Sequence, residues 1–109
     1  MSDIHEDLPL KATTYTLHLF GADHPLRARY EEIDLPTITI ECRGPLGSDS
    51  WAVCHKGQCH DGISWDHEPL PSSRTEAWLA MHRFPLHEAL ELAVSAARPL
   101  RKKYEERLQ

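Results

Sequence analysis

The sequence predicts an α+β fold: an antiparallel sheet of about four strands with a C-terminal helix packed on one face. Two observations lead to this fold class. Apolar and polar side chains alternate in short segments over the first two thirds of the chain, which is the period of a strand. After residue 85 the apolar residues recur at three- and four-residue steps, which is the period of a helix. With 109 residues the chain has the size of one domain.

Four segments carry the strand pattern. The first is TTYTLHLF, residues 13–20, which alternates and is rich in β-branched and aromatic side chains. The second is Thr37–Cys42 and the third is Trp51–His55. The fourth covers residues 63–67 and is entered through Asp61-Gly62, a dipeptide that suits the positive φ angles of a tight hairpin turn. These segments predict the sheet.

Residues 26–35 are ambiguous, and we expect strand or loop there because Pro36 biases Leu35 away from helix. Ser73 and Glu76 match a capping box, which predicts a short helix over residues 77–81. A strand that reaches Phe84 is the competing interpretation, since apolar residues also alternate there.

A long helix is predicted from Leu86 onwards, with Pro85 at its first position. Its apolar stripe consists of Leu86, Leu90, Ala93, Ala97, Leu100, Tyr104 and Leu108. Pro99 lies inside the pattern and is expected to kink or split the helix. We therefore divide the chain into a flexible arm (residues 1–11), a single α+β domain (12–98), and a basic helical extension or tail (99–109).

The composition is that of a water-soluble globular protein, with 40% hydrophobic and 27% charged residues. No apolar run approaches the length of a membrane span, so we expect no membrane association. The N-terminus opens acidic and lacks the basic and apolar regions of a secretory signal, which favours a cytoplasmic location. In that compartment the three cysteines are expected to be reduced.

The segment CHKGQCHDG, residues 54–62, is the strongest chemical signal in the sequence. A two-residue turn at Lys56-Gly57 would place Cys54 opposite Cys59, close enough for a cross-strand disulfide. Zinc is the alternative ligand, held by Cys54 and Cys59 with His60, Cys42 or His67 completing the site, although the C-x4-C spacing is wider than that of a zinc knuckle. The simplest interpretation is a hairpin with two half-buried thiols and no cofactor.

Two further groups of residues are candidates for binding. Tryptophan and arginine are enriched at interface hot spots. We therefore expect a protein-binding face that consists of Trp51, Trp65, Arg74, Trp78 and Arg83. The competing interpretation places the tryptophans in the core. The C-terminal segment also carries a basic group that is a candidate for nucleic-acid contacts: Arg98, Arg101, Lys102, Lys103 and Arg107. Because the net charge of the chain is −5, nucleic acid is not the favoured partner.

One stretch resembles a group of small proteins from actinobacteria and the phages that infect them. The likeness covers residues 50–94 and follows the pattern W-A-V, G-x-C, D-G, W, E-P-x-P-S-S-R and R-F, from Trp51 to Phe84. No activity is assigned to that group, so the resemblance implies none. It also implies that Cys59 is shared with the group whereas Cys54 is not.

These observations predict a small cytoplasmic accessory factor that binds another protein and is not an enzyme, encoded by a phage or prophage. The partner would be engaged through an edge strand or the tryptophan–arginine face, and a homodimer is compatible with either. No coherent catalytic set is present in the sequence. The alternatives are a zinc- or redox-responsive module built on Cys54 and Cys59, and nucleic-acid binding through the basic C-terminal segment.

Overall fold

The computed structural model describes residues 12–30, 35–45 and 47–107. These residues contain five strands: β1 (Thr14–His18), β2 (Thr37–Cys42), β3 (Trp51–His55), β4 (Gln58–His60) and β5 (Trp65–His67). The described part of the chain also contains two α-helices, α1 (Glu76–His82) and α2 (Leu86–Arg107). Short 3-10 turns lie at Pro25–Arg29 and Pro71–Ser73. The predicted arm, residues 1–11, lies outside the described residues.

The sheet is an antiparallel meander in which the strands follow their chain order, β1-β2-β3-β4-β5. The predicted α+β class is confirmed, with five strands instead of about four. The additional strand is β4, which forms because Lys56 and Gly57 adopt positive φ angles of 48° and 77°. Two consecutive positive φ angles form the tight turn that matches the twist of paired strands, so the chain reverses after only two residues.

The next hairpin is built differently from the prediction. β5 begins at Trp65, and residues 61–64 form a four-residue loop closed by the Asp61 amide, which donates to the Ser64 carbonyl at 3.1 Å. The Asp61 carboxylate accepts from the amides of Ile63 and Ser64, both at 2.8 Å. Gly62 alone has a positive φ in this loop, at 102°. A two-residue Asp-Gly turn is therefore wrong for this position.

Helix α2 covers one face of the sheet and forms the main core with it. Small side chains of the helix lie against the strands, where Ala89, Ala93 and Ala96 are buried beside Val53. Most of the predicted apolar stripe faces the core, since Ala93 and Tyr104 are buried and Leu86, Ala97 and Leu100 pack against them. Leu90 is partly exposed, and Leu108 lies outside the described residues. Small residues on the contact face allow the helix axis to approach the sheet closely, and the larger leucines flank that contact.

Helix α2 runs without interruption from Leu86 to Arg107, so Pro99 does not split it. Pro99 is exposed and lines the groove between the helix and the β4–β5 hairpin. The helix begins where the Asp49 carboxylate accepts the Leu86 amide at 2.7 Å, which satisfies one of the donors left free at a helix N-terminus. The helix therefore crosses the domain boundary predicted at residue 99.

The opposite face of the sheet is covered by the segment from Pro71 to His82. Helix α1 confirms the predicted short helix, but its cap is Thr75, whose hydroxyl accepts from the Trp78 amide at 3.0 Å. The capping box predicted at Ser73 is wrong, because Ser73 closes the preceding 3-10 turn. Phe84 follows α1 and pairs with Trp51 in a single bridge, which joins this covering segment to β3.

Residues 25–29 form a 3-10 turn in place of the expected strand or loop, and residues 31–34 lie outside the described part of the chain. The turn begins where the His24 side chain accepts the Leu26 amide at 3.1 Å. Leu19 and Phe20 follow β1 and are both buried, because the chain leaves the strand geometry after His18. This segment closes the core at the open end of β1.

Candidate functional site

The β3–β4 hairpin places Cys54 directly opposite Cys59, as the predicted turn requires. His55 and Gln58 form the pair next to the turn, so the cysteines occupy the following pair, in which side chains of antiparallel strands approach most closely. The two Sγ atoms are 3.6 Å apart, and both cysteines are free. Cys54 is 8% exposed and Cys59 is fully buried, in a small cluster with Ala52 and Trp78.

Arg43 makes the two thiols chemically different. Its guanidinium donates to the Sγ atom of Cys54 at 3.5 Å. The pKa of Cys54 is lowered by the hydrogen bond from Cys59, and the positive charge of Arg43 adds to this effect, whereas burial opposes it. The pKa of Cys59 is raised by that same bond and by burial. The two shifts have opposite directions, so Cys54 is the more easily deprotonated thiol of the pair.

Glu68 holds the arginine in place and is the centre of an ion-pair network. It accepts two hydrogen bonds from Arg43, at 2.9 and 3.2 Å, and its side chain is only 15% exposed. Arg74 contacts the same carboxylate at 3.2 Å and Arg83 at 3.8 Å. Glu41 provides a second carboxylate for Arg43, at 3.2 Å. These contacts offset part of the cost of removing the charges from water, while the Nε atom of Arg43 is buried with no hydrogen-bond partner among the described residues.

Of the predicted zinc ligands, Cys54 and Cys59 are brought together, whereas His60 is not. His60 lies on the other face of β4, where its ring accepts the Gly62 amide at 2.9 Å. The donor atoms of Cys54, Cys59 and Glu68 do lie within 4.8 Å of one another. However, the Arg43 guanidinium contacts two of these three residues, and a divalent cation would have to share the space with that positive charge. The geometry favours a thiol pair stabilised by arginine.

A second polar cluster lies at the end of α1 and centres on His82, which is only 2% exposed. Its Nε2 atom is 2.8 Å from the Asp66 carboxylate, and its Nδ1 atom donates to the Trp78 carbonyl at 2.6 Å. The Trp78 ring stacks on the imidazole at a centroid distance of 4.0 Å. The sequence pattern does not single out His82, because its partner Asp66 lies sixteen residues away. This cluster attaches α1 to β5.

Two histidines on the helix side are buried in the neutral form. His55 donates from Nδ1 to the Thr37 carbonyl at 2.8 Å, and its Nε2 atom accepts from the Tyr104 hydroxyl at 3.1 Å. Burial lowers the pKa of His55, and the charges of Lys56 and Arg107 lower it further. Burial also lowers the pKa of His60, against the opposing effect of nearby carboxylates.

We expect the free energy of unfolding to fall as the pH drops through the histidine range. In the unfolded chain His55 and His60 take up protons near their ordinary pKa of 6.5, whereas the folded protein resists protonation. Stability is then complete above about pH 6.5 and declines below it until the lowered folded-state pKa values are passed. Urea unfolding from about pH 8 to pH 5.5 measures this, and His55→Asn is expected to flatten the decline. An unchanged slope in that variant, matching a control at exposed His87, would contradict the assignment.

The outer strand β1 borders a groove on the helix side of the sheet. Tyr15 and Leu17 lie on the same face of the sheet as the core residues Ile38 and Ile40, with which they are paired. The groove has a volume of about 330 Å³ and is lined by Leu17, His18, Leu19, Val94, Ala97, Arg98 and Arg101. A larger groove of about 470 Å³ lies between α2 and the β4–β5 hairpin, but the strand beside it, β5, has only three residues.

The tryptophan–arginine residues do not form one surface. Trp51 is buried, and Trp65 packs against the main core on the helix side. Trp78, by contrast, packs on the thiol cluster of the opposite face, where Arg74 and Arg83 contact Glu68. Most of these residues therefore make contacts within the fold, on one face of the sheet or on the other.

The basic residues of α2 are all exposed but lie on different sides of the helix. Arg98 and Arg101 line the groove beside β1. Lys103 and Arg107 instead line a hollow beside the β3–β4 turn, where Arg107 also lies over the Tyr104 ring at 5.3 Å. The structure therefore does not gather the five positive charges into a single stripe.

Comparisons with known proteins provide no relative of this chain: no family model, no curated protein and no solved structure matches it. Among the described residues, neither helix combines the length and the apolar character that crossing a membrane requires. The resemblance to actinobacterial and phage proteins remains a prediction, and the functional argument depends on the site geometry alone.

Proposed function

We propose that this protein is a non-enzymatic binding module that takes up an extended segment of a partner protein along the outer edge of β1. The observation that carries the proposal is the outer edge of β1, with which no further strand of the described residues pairs. β1 pairs in regular register over five residues, and its sequence TYTLH contains no lysine, no acidic residue and no proline. Natural proteins usually block a sheet edge with such residues or with a bulge, because an open edge recruits another strand.

The backbone of β1 presents hydrogen-bonding groups to an incoming strand. The Leu19 amide donates to Pro36, and the Thr13 carbonyl accepts from Cys42, so the odd-numbered residues face β2. In an antiparallel ladder the bonding direction alternates, which leaves the amides and carbonyls of Thr14, Thr16 and His18 directed outwards. Among residues 12–30, 35–45 and 47–107, only β2 pairs with β1.

The groove beside the strand indicates the chemistry of the partner segment. Leu17, Leu19 and Val94 provide an apolar floor, and Val94 is about half exposed. Arg98 and Arg101 stand at its border and supply positive charge. A bound strand places alternate side chains towards the same face, so the favoured segment alternates apolar residues and carries an acidic residue near these arginines.

The wider setting of the proposal is the cytoplasm. Three free cysteines support a reducing compartment, because exported domains of this size usually pair theirs. The resemblance of residues 50–94 to actinobacterial and phage proteins supports an accessory role in a phage or its host. Nucleic-acid binding receives no comparable support, since the basic side chains of α2 are divided between two sides of the helix.

Selection from a displayed library of random nine-residue peptides tests the proposal. We expect enrichment of apolar, acidic sequences, and a synthetic consensus peptide is then titrated against two variants. Thr16→Pro removes an outward amide and is tolerated at a strand edge, whereas Thr16→Val keeps the amide with a side chain of similar shape. Loss of one backbone hydrogen bond and of strand alignment weakens binding by about tenfold or more in Thr16→Pro. The Thr16→Val variant is expected to bind as the native protein does.

Two further observations decide the case. When the selection is repeated with Arg98→Glu, we expect the enriched peptides to lack the acidic residue. Circular dichroism verifies that each variant is folded. Equal binding of the consensus peptide by Thr16→Pro and Thr16→Val would contradict the proposal. Self-association that disappears in Thr16→Pro would also overturn it, because the edge would then pair with a second copy of this chain.

A further inference from the structure

We infer that Cys54 and Cys59 form a reversible dithiol–disulfide pair that a hydroperoxide oxidises, with Cys54 as the attacking thiolate and Cys59 as the resolving thiol. The inference concerns the face of the sheet opposite the β1 groove and does not depend on the proposed binding function. It depends on three features of the β3–β4 hairpin: the opposed register, the distance between the sulfurs, and the guanidinium beside one of them.

The hairpin geometry permits the disulfide without movement of the backbone. Cys54 and Cys59 form the pair next to the turn-closing pair, where the Cα atoms of opposed residues are about 4.5 Å apart, within the range that a disulfide accepts. The sulfur atoms are already 3.6 Å apart. A small rotation of the side chains about their Cα–Cβ bonds is sufficient to close the remaining distance, because a disulfide bond is about 2.05 Å long.

The environment assigns different roles to the two sulfurs. Arg43 donates to Cys54 alone, and Glu68 keeps this guanidinium in place through two hydrogen bonds. The lowered pKa of Cys54 and the raised pKa of Cys59 agree with this asymmetry. Only the thiolate is an efficient nucleophile, so the first step takes place at Cys54. Cys54 is also the more exposed of the two, at 8%, which favours a small oxidant.

The reaction balances with one hydroperoxide. The Cys54 thiolate attacks one oxygen, so an S–O bond forms as the O–O bond breaks, and the leaving oxygen takes up a proton as water or alcohol. The Cys59 thiol then loses its proton and attacks the sulfur of the Cys54 sulfenic acid. The S–S bond forms as the S–O bond breaks, and the oxygen departs as a second water. Two electrons have passed from the thiols to the peroxide, and a dithiol reductant returns the pair to the starting state.

The third cysteine provides an internal control. Cys42 is half-buried on the helix side of the sheet, and its Sγ atom lies near the Ser48 carbonyl at 3.7 Å. The thiol pair lies on the opposite face of the sheet, so Cys42 cannot form a disulfide with Cys54 or Cys59 while the protein is folded. Oxidation by this route therefore leaves one alkylatable thiol of the three in the native protein.

The experiment treats the folded protein with hydrogen peroxide, alkylates it in denaturant and measures the intact mass. We expect the number of alkyl groups to fall from three to one, peptide mapping to join Cys54 to Cys59, and dithiothreitol to restore all three. Cys59→Ser is expected to stop at a sulfenic acid that dimedone traps on Cys54. Cys42→Ser is expected to oxidise at the native rate.

The contribution of Arg43 is tested through the rate. Arg43→Met removes the charge beside Cys54, and each unit of increase in the pKa of that thiol reduces the thiolate fraction about tenfold at neutral pH. Oxidation should slow accordingly, whereas Arg43→Lys, which keeps a positive charge, should retain most of the rate. An unchanged thiol count in the native protein, or oxidation that begins at Cys42 or joins two chains, would overturn the inference.

Discussion

Replacing Glu68 by alanine is expected to lower the free energy of unfolding by about 3–5 kcal/mol, which is the usual cost of removing one partner from a buried ion pair. Glu68 is the shared carboxylate of Arg43, Arg74 and Arg83, and its side chain is largely withdrawn from solvent. Its loss would leave three guanidinium groups close together without their common counter-charge. Repulsion among them adds to the cost of the unpaired groups.

Urea unfolding followed by circular dichroism measures the effect of Glu68→Ala. The matched control is Glu41→Ala, which removes the other carboxylate of Arg43, at 3.2 Å. Because the side chain of Glu41 is 33% exposed, its loss is expected to cost only about 0–1 kcal/mol. Equal effects of the two variants would mean that burial does not strengthen the Glu68 network.

His82→Ala is expected to lower the free energy of unfolding by about 2–4 kcal/mol, through a cavity and the loss of two hydrogen bonds. The imidazole is buried between Trp78 and β5, and both of its nitrogens are engaged, by Asp66 and by the Trp78 carbonyl. Without it, helix α1 would lose its principal polar contact with the sheet, and Trp78 would lose the ring on which it stacks.

The His82 variant is assessed by the same unfolding measurement together with tryptophan fluorescence, which reports on exposure of Trp78. His87→Ala is the control, because His87 is an exposed residue of α2 and its replacement should change the free energy of unfolding by less than about 0.5 kcal/mol. A His82→Ala protein as stable as this control would show that α1 is held by other contacts.

The strands illustrate what local sequence contains. Thr37–Cys42 and Trp51–His55 are confirmed with their predicted bounds, because β-branched residues and a two-residue period coincide there. β4 is not among the four segments with a strand pattern because it has only three residues, although the hairpin predicted at Lys56-Gly57 implies a returning strand. Its turn depends on Lys56 accepting a positive φ that lysine rarely adopts. Its existence nevertheless places Cys59 opposite Cys54, which is the pairing expected from a turn at Lys56-Gly57.

The helices show where local signals end. The period of α2 predicts the helix and most of its buried face, but it includes Leu90, which is partly exposed, and omits the buried Ala89 and Ala96. Helix α2 continues through Pro99, so the split that the sequence allowed at this position is wrong. The cap of α1 is Thr75 and not Ser73, because Ser73 is the last residue of the 3-10 turn that precedes the helix.

By itself, the sequence determined the α+β class, the antiparallel sheet, the C-terminal helix and the opposed cysteines. These depend on residue period and turn preference, which act over a few neighbouring positions. Only the tertiary structure decided which residues surround the thiols and which histidines are buried. Arg43 meets Glu68 across 25 residues of chain, and His55 meets Tyr104 across 49. Such contacts arise when the two faces of the sheet are covered, and no local pattern encodes them.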